Sequence, residues 1–367
     1  MRIVQLANFH TPESGGIRTT LTALRAGYRR AGHDPVLVVP GPVDDDVSNG
    51  EGRVITVASP LLPGGSGYRI VVDRGRLHRI LDHLAPDRVE ISDRLTLLTA
   101  ATWARRHGVP AVLIAHERLD VVLSAVLPGA LPRRRLVDAW NRRTARMVDA
   151  VVVTSRYGAR EMERVGAHNL VRVPLGVDLE TFRPQPPTPR SCPRLVYVGR
   201  LSREKRPDLA VEALRALHDR GVDAELVVAG SGPLKDLLQR RALGLPVEFR
   251  GFVPSRQDLA ALVGDADVAI APCPGECFGL AALEALACGT PVVAVDGGGA
   301  AELLTLGAGL AVPAGPRAIA AAVVEILGWP EQTRRSMARA QAERYPWSAT
   351  VEGMLSVHQA GTVRAAR

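Results

Sequence analysis

Glu276 and Glu284 stand with seven residues between them in DVAIAPCPGECFGLAALEALACGTPVVAV, residues 267–295. The segment reads as a strand, a loop, a helix closed by Gly289 and a second strand. Glu276 falls in the loop, and Gly279 lets backbone approach a ligand closely where the helix begins. Glu284 interrupts a helix otherwise made of Ala, Leu and Cys. A carboxylate in that setting needs a partner, because an unpaired charge in apolar surroundings is costly. A polyhydroxylated ligand would supply one: carboxylates accept hydrogen bonds from sugar hydroxyls while amides at the helix start hold phosphate. A structural glutamate paired with a neighbouring arginine fits Glu284 equally well.

A diphosphate also calls for cations. Arg200 and Lys205 lie five positions apart in VGRLSREKRPDLAVEAL, around an expected helix start, where two positive groups can meet one pyrophosphate. The chain uses Arg 44 times and Lys twice, at Lys205 and Lys235. A lysine surviving in this loop suggests that a compact ammonium is needed there. Arg203 and Arg206 read as members of a solvated basic loop. In AGSGPLKDLL, Gly230 and Gly232 follow a strand as in a dinucleotide fingerprint, but Lys235 replaces the third glycine, which disfavours a dehydrogenase.

In the first half, NFHTPESGGIRTTLTALRAG places Ser14, Gly15 and Gly16 between a strand and a helix, suited to an anion or to a plain turn. His116 ends the strand PAVLIAH; a lone histidine is more often structural than catalytic. Asp44, Asp45 and Asp46 could suggest a metal site, yet their segment has turn composition, so no metal ligand is expected. LPRRRLVDAWNRRTARM, residues 131–147, fits a basic helix on an anionic membrane or an ordinary solvated face.

All of these residues must be positioned by elements that the pattern reveals. Short apolar runs alternate with amphipathic, helix-length segments, which implies βαβ units. Strands are expected at 2–6, 35–40, 53–58, 87–92, 110–116, 150–155 and 170–175, then at 194–199, 224–230, 247–253, 267–272, 291–295 and 309–313. Runs such as VLVV and VVVT, apolar on both faces, belong to parallel strands covered by helices on each side. FRPQPPTPRSC (182–192) holds four prolines and reads as a linker between domains 1–185 and 193–344. Residues 345–367 read as a final helix, for which the first domain is one docking partner. Ligands of such open sheets gather beyond the carboxyl ends of the strands, which is where the residues above fall.

At 367 residues the chain is long enough for two cores. It shows no membrane-length apolar run and no leader at its start, so it reads as cytoplasmic. Cys192, Cys273, Cys277 and Cys288 show no zinc spacing and read as reduced thiols rather than a disulfide. Of the net charge of +8, residues 1–185 carry +7, from 26 arginines against 19 acidic residues. An anionic partner is implied for that half. With 4% aromatic residues, stacking platforms for nucleic acid are not expected; a membrane surface or a phosphate-bearing acceptor fits better.

The second half resembles glycosyltransferase family 4 through VGRLSREK, AGSGPL, FRGFV, DADVAIAP and GECFGLAALEALACGTPVV, which cover most of residues 194–302 in the family's order. The first half is similar through its Gly15–Gly16 loop, His116 and VPLGVD (173–178). NFHTPESGGIRTTL, EISDRLTLLT and IAHERLD further resemble actinobacterial GDP-mannose-dependent mannosyltransferases that act on phosphatidylinositol mannosides. The resemblance implies the GT-B architecture, two Rossmann-like doubly wound parallel-sheet domains facing a central cleft, an N-terminal one for acceptor and a C-terminal one for donor. It implies metal-independent transfer of a hexose with retained configuration, with no cofactor beyond the nucleotide-sugar substrate. Arg200 and Lys205 would hold the diphosphate, Glu284 the ribose and Glu276 the hexose. Backbone at Phe278, Gly279 and Leu280 would complete the grip, with Val253 near the base. His116 would contact the hexose, Gly16 would approach the donor phosphate, and Ser14 and Gly15 the acceptor. Cys277 departs from the family's usual small glycine or serine. The acceptor would be a glycolipid at the inner membrane face, or a sugar of a secondary metabolite; a non-transferring nucleotide-sugar binder and an epimerase are the other readings.

Overall fold

The computed structural model describes all residues except 12–14, 50–51, 63–66, 121–132, 187 and 366–367. Ser14 and the first two residues of the basic segment 131–147 therefore lie outside the described residues. The chain forms two compact units, Met1–Pro174 with Trp347–Arg367, and Leu175–Pro346. The division falls ahead of the prolyl segment 182–192. That segment lies within the second unit, tied there by Arg190, whose guanidinium meets Asp265 at 2.5 Å. Arg339 adds a tie by donating to the carbonyls of Leu179 and Phe182.

Unit 1 is built on strands β1 (Arg2–Leu6), β2 (Asp34–Gly41), β3 (Asp45–Asn49), β4 (Gly52–Ala58), β5 (Arg88–Ile91), β6 (Ala111–Ala115), β7 (Ala150–Val153) and β8 (Leu170–Arg172). Its helices are α1 (Gly16–Arg30), α2 (Arg74–Leu84), α3 (Thr99–His107), α4 (Arg133–Met147) and α5 (Arg156–Glu163). The sheet order is β3-β4-β2-β1-β5-β6-β7-β8, and every pairing is parallel except β3 with β4. The aspartate run expected to be a turn thus forms an antiparallel edge strand. Its carboxylates are engaged by arginines: Asp46 meets Arg53 at 2.6 Å and Asp44 meets Arg76 at 2.5 Å. Fully buried Val and Ile on both faces of β1, β6 and β7 explain why these runs do not alternate with polar residues.

Unit 2 carries β9 (Arg194–Val198), α6 (Pro207–His218), β10 (Glu225–Ala229), α7 (Lys235–Arg241), β11 (Val247–Gly251), α8 (Arg256–Gly264) and β12 (Val268–Ala271). It continues with α9 (Leu280–Ala287), β13 (Val292–Val295), α10 (Gly299–Glu302), β14 (Gly309–Val312), α11 (Pro316–Leu327) and α12 (Glu331–Ala342). The six strands lie in the order β11-β10-β9-β12-β13-β14, all parallel. The four cysteines are free thiols.

The chain then returns to unit 1 as α13 (Trp347–Ala365), packing Val351, Met354 and Val357 with Ile3, Leu24 and Tyr28. A Cβ on Gly27 of α1 would stand 2.2 Å from a Val351 methyl, so the close crossing of these helices depends on glycine there. Beneath it lies a buried polar cluster. Glu90, with no exposure, accepts hydrogen bonds from His358 Nε2 at 2.7 Å, the Tyr28 hydroxyl at 2.5 Å and Gln5 Nε2 at 2.7 Å. Burial alone would raise the Glu90 carboxyl; the hydrogen bond and charge of His358, with the bonds from Tyr28 and Gln5, outweigh it and hold the group below the ordinary carboxylate range. A carboxyl depressed in the folded state stabilises the fold above its unfolded pKa, and that contribution is lost as pH falls through the folded value. His358→Leu is expected to destabilise unit 1 by about 3 kcal/mol at neutral pH, since it strips a partner from a buried charge. Denaturant unfolding of both proteins checks this, and the difference should shrink as the medium is acidified below the ordinary carboxylate pKa. An undiminished difference in acid would show that lost packing, not the missing hydrogen bond to the Glu90 carboxylate, is responsible.

Candidate nucleotide-sugar site

In unit 2 the strand order reverses direction at β9, the first strand in sequence, which lies between β10 and β12. Ligands of open α/β sheets collect outside the carboxyl ends of strands at such a switch point. The loops leaving β9 and β12 meet there. The β9 loop is stapled to the β10 loop, with Leu201 N donating to Ser231 O at 2.9 Å and Leu234 N to Leu201 O at 2.9 Å. Gly230, at φ 146°, permits this close approach: a Cβ there would stand 1.9 Å from Gly199 O. Tyr197 donates its hydroxyl to Arg200 O at 2.9 Å and fixes the first bend. A short 3-10 turn over Arg203–Lys205 then brings Lys205 back toward the sheet edge. From the β12 loop, Cys273 Sγ contacts Glu204 O at 3.0 Å, joining the two loops. Burial pushes the Cys273 thiol up to about 11.

Lys205 Nζ meets Glu276 Oε2 at 2.7 Å, directly across the switch point. Both side chains keep about a third of their surface exposed, at 33% and 29%, so the pair is open to competition from a ligand. Glu276 is held from behind by its carbonyl, which accepts Gly299 N at 2.6 Å. Arg200 is partly exposed on the same loop. Arg206, by contrast, folds onto Asp208 at 2.9 Å at the start of α6.

The start of α9 is shaped by Gly279, at φ 95°, where a Cβ would stand 2.7 Å from that of Ala300. The first intrahelical bond runs from Leu283 N to Gly279 O, so the amides of Leu280, Ala281 and Ala282 precede it. Phe278 is buried, its ring edge-on to Tyr345 with centroids 6.3 Å apart, which leaves its backbone to the loop. Cys277 is buried beside it. Glu284, one turn into α9, is buried and meets Arg256 Nη2 at 3.1 Å. The arginine-paired reading of Glu284 is therefore a feature of the structure, and it leaves the ligand reading open. Burial raises the Glu284 carboxyl above its ordinary value against the pull of Arg256. Val253 follows β11 at the sheet edge, on the loop leading into α8, and is partly exposed.

Unit 1 repeats the plan, with β1 lying between β2 and β5. Gly15 caps α1 without a side-chain hydrogen bond, Gly16 opens the helix, and a Cβ on Gly15 would meet nothing within 4 Å. His116 leaves β6 and lies 3.3 Å from Ser92 Oγ at the end of β5. Burial, against the attraction of Glu90, lowers its pKa to about 4, so the ring is neutral at physiological pH. Sequence reasoning passed over His10 at the same rim, whose pKa is also lowered to about 4, first by burial and then by Arg18 and Arg25. It also missed Asn8, which donates to buried Asp93 at 2.9 Å, and Arg256. Of these, Asn8 and His10 carried a signal, their place between the first strand and the paired glycines, and Arg256 carried none. Among the described residues no group of His, Cys, Asp and Glu is arranged to hold a metal ion, and no helix is long and apolar enough to cross a membrane.

Two α/β units in succession, each a mainly parallel sheet whose strand order reverses at its first strand, define the GT-B class of glycosyltransferase fold. The chain belongs to glycosyltransferase family 4: residues 14–181 match the model for Glycosyltransferase Family 4, and residues 192–328 that for Glycosyl transferases group 1. It is 45% identical to a GDP-mannose-dependent alpha-(1-6)-phosphatidylinositol dimannoside mannosyltransferase of Mycobacterium tuberculosis, over 97% of this chain and 95% of that protein. It is 30% identical to a GDP-mannose-dependent alpha-mannosyltransferase of Mycolicibacterium smegmatis, over 83% and 82% of the two chains. Among solved structures, sucrose-phosphate synthase from Thermosynechococcus elongatus superposes with a TM-score of 0.83 at 23% identity, covering all of both chains. That last likeness concerns the fold alone.

Proposed function

We propose that this glycosyltransferase moves mannose from GDP-mannose, with retention, onto a hydroxyl of a phosphatidylinositol mannoside-type glycolipid. The observation that carries the reading is the ion pair of Lys205 and Glu276 at the switch point of unit 2, in a chain 45% identical to a mannosyltransferase named for that donor and that lipid class. Donor diphosphate displaces Glu276 from Lys205. Lys205 and Arg200 then neutralise the phosphates, with the leading amides of α9, and Glu276 is released to accept from hydroxyls of the hexose. Glu284 accepts from the ribose, Val253 lies by the base, and neutral His116 is assigned to the hexose as a hydrogen-bonding partner. Gly16 is assigned to the donor phosphate, Ser14 and Gly15 to the acceptor.

As the anomeric carbon–oxygen bond breaks, negative charge grows on the departing diphosphate, where the two cations and the helix end stabilise it. The acceptor oxygen bonds to the anomeric carbon on the same face, and its proton passes to the departing phosphate oxygen. In this reading the cations carry the charge that a metal ion would otherwise neutralise, and unchanged activity in a chelator is the expected result.

The proposed place of action is the inner face of the plasma membrane. On α4, Arg134, Arg135, Arg142, Arg143 and Arg146 are exposed, together with Leu136, while Val137, Asn141, Thr144 and Ala145 face inward. A basic face with one protruding aliphatic residue suits anionic headgroups. Thermal-shift titration with GDP, UDP, ADP and their sugars, followed by product analysis with phosphatidylinositol mannoside and with soluble sugar acceptors, tests the proposal. GDP-linked stabilisation and mannosylated lipid are expected; preference for a uridine donor would reject the mannosyl assignment, and transfer to soluble sugars alone the lipid one.

A further inference from the structure

Arg256 is the first residue of α8, whose cap Ser255 accepts a hydrogen bond from Asp258 N, so its backbone position is fixed. Its guanidinium lies 4.8 Å from the ring centroid of fully buried Phe182 and extends to Glu284 Oε1 at 3.1 Å. The arginine is thus held from below by an aromatic face and directs its donors at a carboxylate only 11% exposed. We propose that Arg256 is a positioning residue of the donor site, which orients the Glu284 carboxylate as a hydrogen-bond acceptor for the nucleoside hydroxyls. The inference rests on the assignment of Glu284 to the ribose.

Physical chemistry makes the arginine necessary. Burial favours a protonated Glu284, nearby Asp178 adds to that tendency, and Arg256 opposes both. Among the described residues, the other neighbours of α9 offer no replacement. Strands β12 and β13 bring aliphatic side chains, and α10 contributes the acidic Glu302. Arg339 of α12 is engaged by the carbonyls of Leu179, Phe182 and Ala287. Cys288, on the chain just past α9, has its own thiol pushed up to about 12 by burial and by Glu284. Without Arg256 the carboxyl would take a proton at higher pH, lose an acceptor oxygen and point less narrowly.

The test measures affinity for GDP and for 2′,3′-dideoxy-GDP across a pH series in the full-length protein and in Arg256→Ala, Arg256→Lys and Glu284→Gln. Exchange of a charge-assisted hydrogen bond for a neutral one predicts about tenfold weaker GDP binding for Glu284→Gln, with discrimination against the dideoxy nucleotide reduced. Arg256→Ala should move the acid limb of GDP binding to higher pH and reduce that discrimination, leaving dideoxy-GDP affinity unchanged; Arg256→Lys should restore part of both. If Glu284→Gln loses discrimination while Arg256→Ala keeps the wild-type limb and ratio, Arg256 has no such role and the ribose assignment stands. If Glu284→Gln keeps the wild-type discrimination, the ribose assignment itself fails. Should Arg256→Ala not fold, the lysine variant decides by the same ratio: a wild-type ratio and limb in that variant would overturn the proposal.

Discussion

Lys205→Ala is expected to lower kcat/KM for sugar transfer by about 10²- to 10³-fold, the usual loss when one preorganised stabiliser of developing charge is removed. Its melting temperature should hardly change. The side chain is a third exposed and its visible partner, Glu276, is nearly as open, so the ion pair contributes at most about 1 kcal/mol to folding. Steady-state kinetics alongside a thermal melt separate the two effects. Glu276→Gln is the informative companion, because it releases Lys205 from its intramolecular counter-charge. GDP should bind to it a few-fold more tightly, about what a pair one-third exposed is worth, while turnover falls because a neutral amide accepts from the hexose hydroxyls more weakly than a carboxylate. Transfer at the wild-type rate by Lys205→Ala would remove the diphosphate assignment altogether.

Gly230→Ala should cost about 3 kcal/mol of stability and most of the donor affinity. The residue has φ 146°, and its added carbon would sit 1.9 Å from the carbonyl oxygen of Gly199, a backbone atom that cannot swing aside. Relief requires the β9 and β10 loops to separate, which displaces Arg200 and Lys205 together. Gly315→Ala is the control: its φ of −174° is ordinary extended backbone and nothing lies within 4 Å of the new carbon, so it should lose no more than the about 1 kcal/mol that alanine costs at a helix N-cap. Denaturant titrations of the two variants give the comparison. Equal midpoints for Gly230→Ala and the parent would show that the loops are not locked as described.

Much of this was legible in residue order alone. Each expected strand forms, because parallel strands buried on both faces leave runs such as VLVV and VVVT that few other elements produce. β3 is not among them, its Asp-rich sequence reading as a turn; Arg53 of β4 meets Asp46 and Arg76 of α2 meets Asp44 just ahead of the strand, and no local pattern announces such partners. The switch-point placement of Arg200, Lys205, Glu276 and Gly279 followed from their positions after strands. The Lys205–Glu276 contact did not, since it spans residues 71 apart in sequence. Arg256 stayed hidden for the same reason: one arginine among 44 gains meaning only from the carboxylate and the aromatic ring brought to it by the fold.

The return of α13 to unit 1 has a consequence for biosynthesis. Leu24, Tyr28 and Glu90 are covered by a segment that emerges from the ribosome only after all of unit 2 has been made. The second half can therefore mature first, while the first half waits with an apolar groove and a buried-type carboxylate still open to solvent. A nascent chain stalled or clipped ahead of Trp347 would be a substrate for chaperones and proteases, however well its later-made partner had folded.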